Sequence, residues 1–150
     1  MKLFVILFIL TAMFSPATPA AESINEDLVF IVHAENPVNE ISVGDIRDFY
    51  FKRKRQWPSG ESVRFIDRGS SNLLREKFLK TILIKSNSDV ELFWIGQKLY
   101  TGDSAPLREN LESGTLQFVS SFKGALGYIS STTAASAKVK VIKVILSKED

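Results

Sequence analysis

Apolar residues recur along the chain with two different periods. The block "DLVFIVH" (residues 27–33) is a compact β-branched run and predicts a buried strand. Asn36-Pro37 closes it with turn chemistry. Ile41, Ile46, Phe49 and Tyr50 then keep helical spacing. They predict a short amphipathic helix over 42–51, with Ser42 as N-cap and Asp45 three residues on. "QWPSG" is a turn and "SVRFI" (62–66) a second strand. Leu74, Phe78 and Ile82 form one stripe of a helix over 71–84, which "KSNS" interrupts. Ser88 and Glu91 have capping-box spacing and open a helix over 89–100. After the "TGDSAP" loop, a weaker helical stretch over 107–122 carries a break near Ser113-Gly114. "ALGYIS" (125–130) and "KVKVIKVI" (138–145) are strands; the second alternates charged with β-branched residues, as a half-exposed or edge strand does. The order β-α-β-α-α-α-β-β predicts one α/β domain with a mixed sheet flanked by helices, over 21–150.

The first twenty residues follow a different logic. Lys2, the apolar "LFVILFIL" and the small-residue stretch "TAMFSPATPAAES" have the layout of a secretory signal peptide, with cleavage after Ala20. A transmembrane anchor is the rival. The apolar run is short for a bilayer span and stops at Ser15-Pro16, which favours removal and a chain not inserted in the membrane. The chain has no cysteine, so neither disulfides, thiolate chemistry nor cysteine-bound metals are available. Without Lys2 the chain carries 18 basic and 17 acidic side chains. That balance gives no nucleic-acid footprint. The expectation is a periplasmic protein.

Chemistry concentrates in "DRGSSNLLR" (67–75), where a strand runs into a helix. The first turn of a helix has N–H groups without intrahelical partners and a partial positive charge. A hydroxyl at Ser70 or Ser71 can cap them, or an oxyanion can take the same place. Gly69 allows close backbone approach, Ser70, Ser71 and Asn72 add neutral donors, and Arg68 and Arg75 offer forked cations suited to phosphate or sulfate. Ordinary capping with two solvated arginines is the alternative. "KRKR" (52–55) reads as a solvated helix end rather than a patch for an acidic partner. His33, the one histidine, lacks triad or metal spacing. The five aspartates Asp27, Asp45, Asp48, Asp67 and Asp103 form no paired-carboxylate pattern. Trp57 could stack on a ligand, and Trp94 sits on an apolar helix face. No enzyme, metal or cofactor is expected.

Taken in order, the motifs resemble the phosphate-type periplasmic substrate-binding family of ABC transporters. The resemblance rests on Asn36-Pro37, Ile41-Ser42, Ile46, Phe49, Lys54, Trp57, Gly60, Arg68 to Ser71, Trp94, Tyr100-Thr101-Gly102 and Gly124 to Tyr128. It implies one lobe of a type 2 periplasmic binding protein. It also implies phosphate or a related oxyanion held by Arg68, Gly69, Ser70, Ser71, Asn72 and Arg75, and an ABC permease or a sensor as partner. Two departures stand out. Gly69-Ser70-Ser71-Asn72 replaces the family's Gly-Ser-Gly-Thr, with Arg68 directly before the glycine. The segment carrying the first phosphate loop of two-lobed relatives has no counterpart. A homodimer would let two copies rebuild a closed cleft. A lobe that has kept the fold and lost the ligand, serving as an envelope interaction module, is the other reading.

Overall fold

The computed structural model describes residues 28–146. The leader expected over 1–20, and its cleavage point, lie outside them. Among the described residues no helix is long and apolar enough to cross a membrane.

Six strands form one mixed sheet in the order β2-β6-β1-β5-β3-β4. They are β1 (Leu28–His33), β2 (Glu40–Ser42), β3 (Arg64–Asp67), β4 (Leu107–Arg108), β5 (Ala125–Ser130) and β6 (Val139–Ile145). β1 runs antiparallel to both β5 and β6, whereas β3 pairs parallel with β5 and β4, and β2 parallel with β6. Side chains of a strand alternate between faces, and β5 shows what that does here. Leu126 and Tyr128 join a core with Phe30, Phe49, Tyr50, Phe65 and Phe78. Ala125 and Ile129 join Ile31, Ile66 and Val119 on the other side. Helices α1 (Val43–Tyr50), α2 (Leu73–Phe78) and α3 (Asn87–Tyr100) supply residues to the first core, and α4 (Glu112–Ser121) supplies Val119 to the second. A Cβ at Gly124 would come within 1.9 Å of the Ser62 carbonyl, so only glycine allows β5 to start this close to the approach to β3.

Several expectations need correcting. β2 is absent from the predicted order; its three residues extend only because β6 supplies a parallel partner. That neighbour also makes β6 an interior strand, half-exposed on its faces. The stretch 107–122 is not one broken helix. Leu107–Arg108 pairs with β3, and α4 runs uninterrupted through Ser113-Gly114. The helix expected over 71–84 starts at Leu73 and passes into a π-helical turn, Leu79–Leu83, that ends on Ile84 in the left-handed region at φ 52°. The chain leaves that turn early enough for Ser86, not Ser88, to cap α3. Ser86 and Asp89 form the reciprocal box, and Glu91 is left for ion pairing. Ser42 caps α1 as expected, accepting from the Asp45 N–H at 2.9 Å. Trp57 is core: its Nε1 donates to the Gly124 carbonyl at 3.0 Å. The four basic residues 52–55 pair with acids, Arg53 with Asp48, Lys54 with Asp45, and Lys52 and Arg55 with Asp103. His33 is buried and its Nδ1 accepts the Glu35 N–H at 3.1 Å.

Candidate functional site

Asp67 is the last residue of β3, on the face that carries Phe65. It is buried, and its two carboxylate oxygens collect four donors. Oδ1 accepts Tyr128 Oη–H at 2.5 Å and the Arg68 N–H at 2.8 Å. Oδ2 accepts Tyr50 Oη–H at 2.8 Å and Arg75 Nε–H at 3.0 Å. Burial first, then the Asp67 charge, drives the phenols of Tyr50 and Tyr128 far above their usual range, so both stay protonated as donors.

Arg75 shares the buried face of α2 with Phe78. Its guanidinium is wholly enclosed, bonded to Asp67 and Asn87, with Glu91 Oε1 at 3.4 Å. Burial works against its charge, but the Asp67 carboxylate outweighs that and holds the group protonated more firmly than usual. Arg68, one residue on from Asp67, goes the other way. It donates to the carbonyls of Tyr128 at 3.0 Å and Asn110 at 3.2 Å, with Glu112 at 3.7 Å. Burial pulls its pKa down, with Glu112 opposing. Both arginines are therefore structural ties. Arg75 joins β3, α2 and α3; Arg68 joins β3 to β5 and to the entry of α4.

The turn between them is more open. Gly69 donates its N–H to Asn110 Oδ1 at 2.9 Å, and a Cβ there would meet that oxygen at 2.4 Å. The cap of α2 is Asn72, not Ser70 or Ser71: its Oδ1 accepts the N–H groups of Leu74 at 2.9 Å and Arg75 at 3.3 Å. This follows from the Gly69–Asn72 turn, closed by Asn72 N–H to the Gly69 carbonyl, which takes up Ser70 and Ser71 before the helix begins. Ser70 and Ser71 are exposed, and no described residue hydrogen-bonds their hydroxyls. They border a cleft of about 390 Å³ with Asn72, Lys80, Lys85 and Ser86. The caps of α2 and α3 thus face one hollow, with two lysines at its rim; Lys80 is paired with Glu76 at 2.6 Å.

Of the six residues singled out in the sequence, Ser70, Ser71 and Asn72 are brought together at this cleft, and the guanidinium groups of Arg68 and Arg75 are not. Sequence reasoning missed Lys80, Lys85 and Ser86, which come from the far end of the helical segment. It also missed the Tyr50–Asp67–Tyr128 cluster. One signal was present: Arg75 stands three residues before Phe78, on the apolar stripe. Among the described residues, no group of histidines and carboxylates could hold a metal.

No family model and no curated protein matches this chain. Solved structures do. An ABC-type phosphate transport receptor from Vibrio cholerae superposes with TM-score 0.61 at 17% identity, over 78% of this chain and 45% of its own. The chain shares the fold of part of that receptor. A putative phosphate ABC transporter substrate-binding protein with bound phosphate from Clostridium perfringens gives 0.61 at 19% identity, over 78% and 44%. PstS from Borrelia burgdorferi gives 0.59 at 17% identity, over 78% and 46%. The chain spans less than half the length of these structures.

Proposed function

We propose that this chain is a periplasmic oxyanion-binding lobe that takes inorganic phosphate or a close analogue, in the service of ABC-type uptake or of a sensor. The observation that carries the reading is the cleft bordered by Ser70 and Ser71. It offers unpartnered hydroxyls and sits between two helix starts, with Lys80 and Lys85 at the rim. The hydroxyls, the helix starts and Lys85 favour a tetrahedral anion, while Glu76, which also lines the cleft, holds Lys80. The fold shared with phosphate-transport proteins supports it. The chemistry differs from that expected of the sequence. Charge comes from lysines at the rim, which act as point charges without an arginine's forked geometry. The hydroxyls supply direction. Binding is therefore modest and sensitive to salt.

Calorimetric titration with phosphate tests this. The wild-type protein should release or absorb heat at millimolar phosphate and gain thermal stability, because a ligand of the native state raises its free energy of unfolding. The Ser70→Ala/Ser71→Ala and Lys85→Ala variants should lose the response and keep their fold. Wild-type protein with neither heat nor thermal shift sinks the proposal. The interaction-module reading has one observation of its own: both arginines are committed inside the fold. It predicts that silent titration together with an intact structure.

A further inference from the structure

Helix α3 is apolar on two sides. Val90 and Trp94 are buried against the core, while Leu92, Ile95 and Leu99 are 67%, 57% and 77% exposed. A helix that is apolar all round belongs in an interior, yet among the described residues nothing covers this outer stripe. Its spacing, i, i+3, i+7, is that of a coiled-coil seam. Beside it, Glu91, Trp94, Ile95 and Lys98 stand at i, i+3, i+4 and i+7 and frame a groove of about 420 Å³. Four residues so spaced make the hole that receives a side-chain knob from a facing helix. Trp94 Nε1, beneath that groove, is a buried donor without a hydrogen-bond partner among the described residues.

We infer that α3 is a self-association surface and that its occupant is α3 of a second copy, lying antiparallel. Charge decides between this and a foreign partner. Glu91 and Lys98 are seven residues apart on the same flank of the stripe. In an antiparallel pair about a twofold axis near Ile95, the same flank of both helices meets in reverse order. Glu91 then faces Lys98 of the partner subunit, and the pair repeats by symmetry. Leu92 falls opposite Leu99 of the partner subunit, and Ile95 of the partner subunit falls opposite the groove. Glu91 Oε1 accepts from Arg75 and Arg108 while its Oε2 takes no bond from the described residues, and Lys98 Nζ, which donates to Ser104 Oγ at 3.2 Å, keeps further N–H donors for a carboxylate. Gly96 lies on the opposite flank of the stripe, at the axis. A Cβ there would meet no atom of the described residues within 4 Å. Glycine weakens a helix interior, and no contact among the described residues explains it. Close approach of a second helix at the axis does.

Light scattering and sedimentation of the soluble protein recovered from cells expressing the full chain read the mass directly. The expected result is twice the mass of one chain at micromolar concentration. Leu99→Lys should give single-chain mass with an unchanged circular dichroism spectrum, since the side chain is exposed. Lys98→Glu should weaken the dimer most at low salt, by setting like charges opposite each other. The chain lacks cysteine, so Ile95→Cys should form an intermolecular disulfide under mild oxidant, while Ser120→Cys on α4 should not. A wild-type monomer overturns the inference and leaves the face to another occupant. A dimer indifferent to Leu99→Lys, or one linked no faster through Cys at 95 than at 120, overturns it as well.

Discussion

Replacing Asp67 by alanine removes in one step the acceptor of two phenols, a guanidinium and a backbone N–H. Breaking one side of a buried ion pair costs about 3–5 kcal/mol, because the remaining charge stays buried and uncompensated. Each orphaned hydroxyl adds about 1–3 kcal/mol when it cannot reach water. These terms are not additive, and Glu91 remains at 3.4 Å from Arg75, which moderates the first. The expected loss is about 4 kcal/mol, a large part of the roughly 5–15 kcal/mol that holds a domain of this kind. With a urea slope of about 2 kcal/mol per molar, the unfolding midpoint should fall by about 2 M. Urea unfolding at neutral pH, followed by tryptophan fluorescence, measures it. The sharper comparison is the double variant. Arg75→Met in the Asp67→Ala background removes the stranded cation and should recover stability relative to Asp67→Ala alone. A single variant that loses less than about 1 kcal/mol, or a double variant in which the two losses simply add, would refute the reasoning that this cluster is a buried, coupled network.

Three further outcomes follow from the same structure. Asn72→Ala should cost about 1 kcal/mol in urea unfolding as the α2 cap is lost, while Ser70→Ala and Ser71→Ala should stay within about 0.5 kcal/mol of wild type. Ile84→Gly should raise the thermal midpoint. It relieves about 1–2 kcal/mol of left-handed strain in a β-branched residue at a position that is 64% exposed. The Asp103 carboxyl is held down to about 2, from a usual 3.8, chiefly by its hydrogen bond from Arg55. A depressed acid contributes its stability in full above the unfolded value and loses it as pH falls through the folded one. The wild type should therefore weaken between about pH 3.8 and pH 2, with a shallower decline in Asp103→Asn, read from thermal midpoints across that range.

The α/β class, the long strands and the helix starting at Ser42 were legible because each is written locally, in periodicity and in a capping residue. What was not legible depends on partners distant in the chain. Glu40–Ser42 extends against β6, about a hundred positions away. Nothing in its own three residues asks for a strand. Arg75 looks like a surface cation until β3 places Asp67 under it and α3 brings Asn87 and Glu91 over it. Arg68 is satisfied by main-chain carbonyls, which no side-chain pattern announces. Asn72 fills the capping role open to Ser70 or Ser71 in the sequence, because a cap is set by where the turn ends and not by which polar residue comes first. The same shift that freed the serines from capping leaves their hydroxyls open to a ligand.

In the proposed binding mode an oxyanion enters between Ser70–Ser71 and the start of α3 while both arginines stay at work inside the fold. Amide and arginine side-chain resonances recorded during a phosphate titration test it most directly. Saturable shifts are expected at Ser70, Ser71, Lys85, Ser86 and Asn87, with the Arg68 and Arg75 guanidinium signals in place. Unchanged spectra at millimolar phosphate, or saturable shifts led by those two guanidinium groups, would contradict it.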